Sequence, residues 1–219
     1  MATGHDLKGL DLSTAPFVVI AGNIGVGKST LVSRLAGRWS WHAAHEPNDA
    51  NPYLADFYRD MPTWGFHSQI FFLSKRLEQH NRICHGAFPT LQDRSVYEDA
   101  EIFARNLHLQ GHLAGRDWAT YNDLYRTMAE IIRPPDLVVY LRASVDTLLA
   151  RVAQRSRDYE KAIPAAYIAQ INALYESWAS SFRRAPLCEI NADSLDWTGA
   201  SSDNDDLDTV ADVIRAHLR

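Results

Sequence analysis

Eight residues near the start of the chain, Gly22-Asn23-Ile24-Gly25-Val26-Gly27-Lys28-Ser29, constrain its fold more than any other stretch. They fit the phosphate-loop pattern G-x-x-x-x-G-K-[ST]. The apolar, β-branched run at 16–22 predicts a buried strand that feeds the loop. Residues 30–36 have apolar side chains at helical spacing, so a helix leaves it. Glycines let successive backbone N–H groups turn inward around an anion, and the helix N-terminus adds the positive end of its dipole. Lys28 then reaches the outer phosphates and the Ser29 hydroxyl ligates Mg²⁺. Thr30 completes the phosphate-binding set. A chance glycine turn is the alternative, disfavoured by the strand before and the helix after. The motif implies nucleotide binding and leaves the second substrate open.

The 219 residues suit one α/β domain with a sizeable core. A formal net charge of −5 argues against broad nucleic-acid binding, so basic groups serve local sites. Two cysteines, Cys84 and Cys188, lie far apart and read as buried thiols of a reducing compartment. Residues 1–14 are polar, with no basic-then-apolar leader. No apolar run approaches the length of a membrane span. The expectation is a cytoplasmic protein that engages neither membrane nor nucleic acid.

Strand and helix patterns alternate along the chain, as a parallel sheet flanked by helices requires. Strands are predicted at 17–21, 41–45, 88–92, 137–141 and 187–191. Helices are predicted at 28–38, 53–60, 63–83, 98–109, 118–132, 145–154, 164–183 and 206–218. Pro134 and Pro135 stop a helix, because proline disfavours helical geometry in the residue before it. Residues 198–205 are polar and turn-rich, which predicts a flexible surface loop. The first and last dozen residues are expected to fray as well.

Four further clusters carry chemistry. Glu46 and Pro47 close the second strand, at the carboxyl end where open α/β sheets place ligands. A carboxylate there can accept a proton from a hydroxyl attacking a γ-phosphate; it can equally be an ordinary strand-end acid. Asp93, Arg94 and Ser95 close the third strand. An acid in that place holds Mg²⁺ in phosphate-loop proteins, and Arg94 can neutralise the transferring phosphoryl; an Asp–Arg pair that only fixes the loop is the alternative. Arg151, Arg155 and Arg157 read as a lid over phosphates, since the planar arginine fork pairs with phosphate oxygens, or as a solvated basic face. Gln69 sits among Trp64, Phe66, Phe71 and Phe72. Its amide can read a nucleobase edge, or it is a surface amide on a core helix.

Together these segments resemble the deoxynucleoside kinase family, which contains deoxycytidine, deoxyguanosine and bacterial deoxyadenosine kinases. The resemblance rests on GNIGVGKST (22–30), EPNDANPYLADFY (46–58), WGFHSQIFFLSKR (64–76), DRSVYEDAEIF (93–103), PPDLVVYLRAS (134–144) and RVAQRSRDYEKAIP (151–164). NPYLADFY and PPDLVVYLRAS look most like the bacterial purine branch. The resemblance implies a P-loop NTPase fold with a five-stranded parallel sheet, ATP with Mg²⁺, and a deoxynucleoside acceptor, deoxyadenosine first. It also implies nucleotide salvage, a homodimer packed through helices, and feedback inhibition by a deoxynucleoside triphosphate.

Carried over residue by residue, the resemblance makes Glu46 the general base at the sugar 5′-hydroxyl. Asp93 helps hold Mg²⁺ and Arg94 contacts the 5′-hydroxyl region. Tyr58 and Glu160 bond the 3′-hydroxyl, Gln69 pairs with the base edge, and Arg76 with Asp99 forms the polar far end of the base pocket. Trp64 and Phe103 line that pocket, and Arg151, Arg155 and Arg157 belong to the lid. Ser156 departs from the glycine many relatives carry between lid arginines, and Tyr159 from the acid of animal relatives. An uncharged nucleoside tolerates Glu46 beside its attacking hydroxyl, whereas a monophosphate acceptor brings its own negative charge. A monophosphate kinase is therefore the weaker enzyme reading. A nucleotide-dependent switch protein is weaker still, since no Asn-Lys-x-Asp run for guanine selection is present.

Overall fold

The computed structural model describes residues 15–46, 50–154, 163–197 and 205–218. In chain order the elements are β1 (Phe17–Gly22), α1 (Lys28–Trp39), β2 (His42–Ala44), α2 (Leu54–Arg59), α3 (Met61–His85), β3 (Thr90–Asp93) and α4 (Val96–Glu98). A π-helical stretch (Asp99–Ala104) follows, then α5 (Arg105–Leu109), α6 (Gly115–Ile131), β4 (Leu137–Arg142), α7 (Val145–Gln154), α8 (Ala165–Ser181), β5 (Leu187–Asn191) and α9 (Asp205–His217). The five strands form one sheet in the order β2-β3-β1-β4-β5, every pairing parallel. Strand β1 is central, with Ile20 opposite Asp93 on one side and Val139 on the other. The strand order reverses beside β1, so the loops after β1 and β3 open the crevice where such sheets bind ligands.

Buried alternation on β1 and β4 builds two cores. Phe17, Val19 and Ala21 of β1, with Val138 and Tyr140 of β4, face the layer of α3, α6 and α8. Val18 and Ile20, with Leu137, Val139 and Leu141, face α1 and α9. Both faces of the central strands are covered, which is why they read as continuous apolar runs rather than alternating ones. Each such Val, Ile or Leu contributes about 1.5–3 kcal/mol by leaving water.

The elements match the predicted ones, with shifts at their ends. Helix α3 starts two residues early because Asp60 caps it, accepting from the Thr63 N–H at 3.3 Å, with Pro62 in the first turn. Helix α1 stops where Ser40 turns left-handed (φ 57) and its N–H returns to the Ala36 carbonyl. Strand β2 is shorter than the predicted 41–45, because Trp41 packs on Trp39 beneath α1 (centroids 5.1 Å). Helix 98–109 proves to be α4, the π stretch and α5 in sequence. Helix α6 begins at Gly115 rather than 118. No helix among the described residues is long and apolar enough to cross a membrane. The flexibility expected of 1–14 and of 198–204 concerns residues outside the described ones, and Asp205 already opens α9.

Candidate active site

The phosphate loop needs its glycines for reasons visible in its packing. Gly22 has φ +145, and a Cβ there would meet the Leu141 carbonyl oxygen at 2.8 Å. Gly27 has φ +102, and a Cβ would meet Trp197 Nε1 at 2.8 Å. That indole N–H donates to the Gly27 carbonyl (3.0 Å), so Trp197 seats the loop from below. The Asn23 amide ties the loop to α8, donating to the Ile168 carbonyl (3.0 Å) and to Asn172 Oδ1 (3.1 Å). Lys28 is buried, and its Nζ donates to the Asn23 carbonyl across the loop (3.0 Å). Burial, then Arg94, lowers its pKa to about 8, with Asp93, Glu46 and Glu98 opposing in part.

Strands β2 and β3 deliver the acids and arginines beside that lysine. Glu46 Oε1 accepts from Arg94 Nη1 (2.6 Å) and Arg76 Nη2 (3.0 Å). Arg76, 1% exposed, also donates from Nε to Asp99 Oδ2 (3.0 Å) and from Nη1 to the Asp93 carbonyl (2.9 Å). One arginine from α3 thus joins Asp99 to Glu46. Its charge is favoured despite burial, because Asp99 and Glu46 face it. Burial pushes Asp99 upward while Arg76 holds it down, and the net direction is up. Arg94 is a non-glycine residue with φ 65, fixed by its own N–H to the Ile20 carbonyl (3.0 Å), with its guanidinium 4.2 Å over the Phe103 ring.

These groups open into one cleft. Its walls bring together Lys28, Ser29, Glu46, Tyr58, Gln69, Asp93, Arg94, Asp99 and Phe103, all singled out from sequence. Gln69 is buried within it, so the surface-amide alternative does not hold. Arg76 stands behind the wall, touching Glu46 and Asp99. Trp64 does not line the cleft; it stacks on Tyr53 (5.9 Å) at the outer end of α3. Phe72, one of the aromatic neighbours of Gln69 named from sequence, also lines the cleft, whereas sequence reasoning missed the Leu54, Phe57, Ile163 and Tyr167 walls. It also missed Glu98, which is fully buried beneath the loop. Ser95 with Glu98 three residues on is a capping-box signature that could have flagged it.

A second cleft lies on the other side of the loop, lined by Gly25, Val26, Gly27, Thr30, Thr147, Arg151, Gln154 and Trp197 among others. The two clefts share Gly25. Arg151 spends its donors on backbone carbonyls: Val26 (3.2 Å), Ala192 (2.8 Å) and Leu195 (3.0 Å). It thereby ties the phosphate loop to the segment after β5. Arg155, Ser156, Arg157, Tyr159 and Glu160 lie outside the described residues.

Ser29 and Asp93 meet at the end of the phosphate loop. Ser29 Oγ donates to Asp93 Oδ2 (2.5 Å), and the buried Asp93 Oδ1 has no hydrogen-bond partner among the described residues. No group of three or more His, Cys, Asp or Glu among the described residues could hold a metal. One hydroxyl and one carboxylate suit Mg²⁺, which keeps its waters and shares substrate phosphates rather than filling a protein cage.

The deoxynucleoside kinase family model matches residues 18–215. Deoxyadenosine/deoxycytidine kinase of Bacillus subtilis (strain 168) is 34% identical over 201 residues, covering 90% of each chain. Deoxyguanosine kinase of the same organism is 30% identical over 200 residues, covering 88% of this chain and 94% of its own. The solved structure of deoxyadenosine kinase from M. mycoides with bound dATP matches at TM-score 0.78 and 26% identity, over 90% of this chain and 97% of that one. Fold, phosphate loop and relatives agree: the chain belongs to the deoxynucleoside kinase family, ATP-dependent enzymes that phosphorylate deoxynucleosides.

Proposed function

We propose that the chain transfers the γ-phosphate of ATP to the 5′-hydroxyl of a deoxynucleoside, with Mg²⁺ and with deoxyadenosine as the preferred acceptor. The observation that carries the reading is the pair of clefts meeting at Gly25, one holding Glu46 and Arg94, the other running beside Thr30 and Gln154. The acceptor occupies the first and the donor the second, so the γ-phosphate reaches the hydroxyl over Lys28. Glu46 takes the 5′-hydroxyl proton as the oxygen attacks phosphorus and the bond to the β-phosphate oxygen breaks, releasing ADP. Arg94 orients Glu46 and neutralises developing charge; Lys28 holds the outer phosphates. Tyr58 and Glu160 hold the 3′-hydroxyl. Arg155 and Arg157 pair with phosphate oxygens, and Arg151 anchors α7 to the phosphate loop. Ser29 and Asp93 would hold Mg²⁺, which would neutralise phosphate charge during the transfer.

Base preference follows from the polar end of the cleft. Gln69 offers one acceptor and one donor, matching adenine's amino group and ring nitrogen. Asp99, ionised beside Arg76, accepts from an exocyclic amino group. Thymine lacks that group and adds a methyl, and a site built for polar pairing strongly rejects an analogue that leaves its groups unpaired. The names of the B. subtilis relatives keep deoxycytidine and deoxyguanosine as secondary acceptors. The same reading carries a cytoplasmic salvage role and inhibition by a deoxynucleoside triphosphate, supported by M. mycoides kinase structures with dATP and with dCTP bound. It also carries a homodimer, supported by the exposed Leu109 on α5 and Leu124 and Ile131 on α6. A panel of deoxynucleosides tests the preference: kcat/KM is expected to be highest for deoxyadenosine and poor for thymidine. Thymidine as best substrate refutes it.

A further inference from the structure

We propose that Glu98 is a positioning residue for phosphoryl transfer, its one buried carboxylate fixing the start of the phosphate loop against the turn that carries Arg94. The inference rests on the transfer reading above and adds a residue that does not line the acceptor cleft. Within α4, Glu98 completes a capping box with Ser95, whose N–H (2.8 Å) and hydroxyl (3.1 Å) both donate to Oε2. An ordinary capping box is satisfied by that and leaves its acid at the surface. Glu98 is 0% exposed, and its other oxygen reaches away from the helix. Oε1 accepts from the Gly22 N–H (3.2 Å) and from the Tyr175 hydroxyl of α8 (2.8 Å).

Gly22 and Ser95 each sit at a junction. Gly22 is where β1 ends and the phosphate loop begins. Ser95 follows Arg94, whose left-handed backbone costs about 1–2 kcal/mol and persists only where its neighbours hold it. Tyr175 braces the carboxylate from α8 and ties it to neither the loop nor the arginine turn. The carboxylate therefore sets the distance between the loop that holds the donor phosphates and the arginine that orients Glu46. Four groups converge on it, and the Gly22 and Ser95 N–H groups among them can only donate, so each carboxylate oxygen must accept. Burial works against the carboxylate's charge, and Arg94 and Lys28 nearby support it. In glutamine, the amide –NH₂ must face either the Gly22 N–H or the Ser95 N–H. Donor then meets donor, and one junction lets go.

The test compares Glu98→Gln with Tyr175→Phe, measuring kcat, KM for deoxyadenosine and melting temperature, with kinetics run well below melting. Glu98→Gln is expected to lose about 10²-fold in kcat, the scale of a misplacement near 1 Å. KM for deoxyadenosine should move by less than about threefold, since the cleft walls keep their contacts. Tyr175→Phe keeps the carboxylate and its bonds to Gly22 and Ser95. It should lower the melting temperature and leave kcat within about threefold. A folded Glu98→Gln enzyme with kcat near wild type overturns the proposal. So does a Tyr175→Phe enzyme that loses as much kcat as Glu98→Gln, because generic packing then explains both. If Glu98→Gln does not fold, Glu98→Asp decides. Its charge is kept but it cannot span Gly22 and Ser95, so kcat should fall more than about tenfold at similar KM; unchanged kcat overturns the inference. A wild-type enzyme that phosphorylates no deoxynucleoside refutes the transfer reading itself and takes this inference with it.

Discussion

Glu46→Gln separates chemistry from scaffolding at the centre of the site. Glu46 Oε1 receives Arg94 Nη1 at 2.6 Å and Arg76 Nη2 at 3.0 Å, from side chains 9% and 1% exposed. Hydrogen bonds to a charged group are worth about 1.5–3 kcal/mol each, against roughly 0.5–1.5 for neutral ones. The glutamine oxygen can still accept, so the loss is about 1–1.5 kcal/mol per bond, or roughly 2–3 in all. Asp99 and Asp93 remain as counter-charges, which keeps the loss below that of a stripped ion pair. For a chain of this size the melting temperature should fall by roughly 4–12 °C. Domains hold about 5–15 kcal/mol in reserve, so the variant stays folded at 25 °C. Turnover behaves differently: without an acceptor for the 5′-hydroxyl proton, kcat should fall ~10²–10⁴-fold, about 3–5.5 kcal/mol on the barrier. The assay is deoxyadenosine-dependent ADP formation from ATP, with nucleoside binding followed by calorimetry. Binding should survive while turnover collapses. A folded variant with kcat within about threefold of wild type would mean the proton goes elsewhere and Glu46 only holds arginines.

Lys28→Ala should fold normally and lose at least about 10²-fold in transfer, since no other loop side chain places a cation on the outer phosphates; circular dichroism with steady-state rates checks it. Because Lys28 in the nucleotide-free protein titrates at about 8, kcat/KM for ATP should hold below that pH and fall as pH rises through it. A flat profile to the ordinary lysine range would contradict its burial. Arg76→Leu removes the shared partner of Glu46 and Asp99 and should cost about 3–5 kcal/mol, or roughly 6–20 °C in melting temperature, more than Glu46→Gln. It should also narrow the preference for deoxyadenosine over thymidine. A melting temperature within about 2 °C of wild type would refute the clamp.

What the sequence revealed was local. The strand, glycine turn and helix at 17–39 each carry their own signal, and Asp93 and Glu46 stand where apolar strands run out. Gln69 could be named as a polar residue in an apolar helix, but its burial depends on α3 packing over the sheet. The second partner of Arg76 was invisible for the same reason: Glu46 approaches it only once β2 lies beside β3. Glu98 and Gly22 are 76 residues apart and meet through sheet order. The π stretch adds a wider turn inside a run that reads as ordinary helix, and it places Asp99 and Phe103 on one cleft. Arg151 looked like a phosphate ligand because arginine is one. The carbonyls of Val26, Ala192 and Leu195 that receive it come from loops whose meeting no spacing predicts.

The most direct test follows the phosphate. Wild-type enzyme is incubated with Mg²⁺, ATP labelled with ³²P at the γ-position, and deoxyadenosine, and the products are separated. The label is expected in deoxyadenosine 5′-monophosphate, with one ADP formed for each labelled product and no ADP without nucleoside. Label recovered only as inorganic phosphate, or ADP formed at the same rate whether or not a deoxynucleoside is present, would contradict the account.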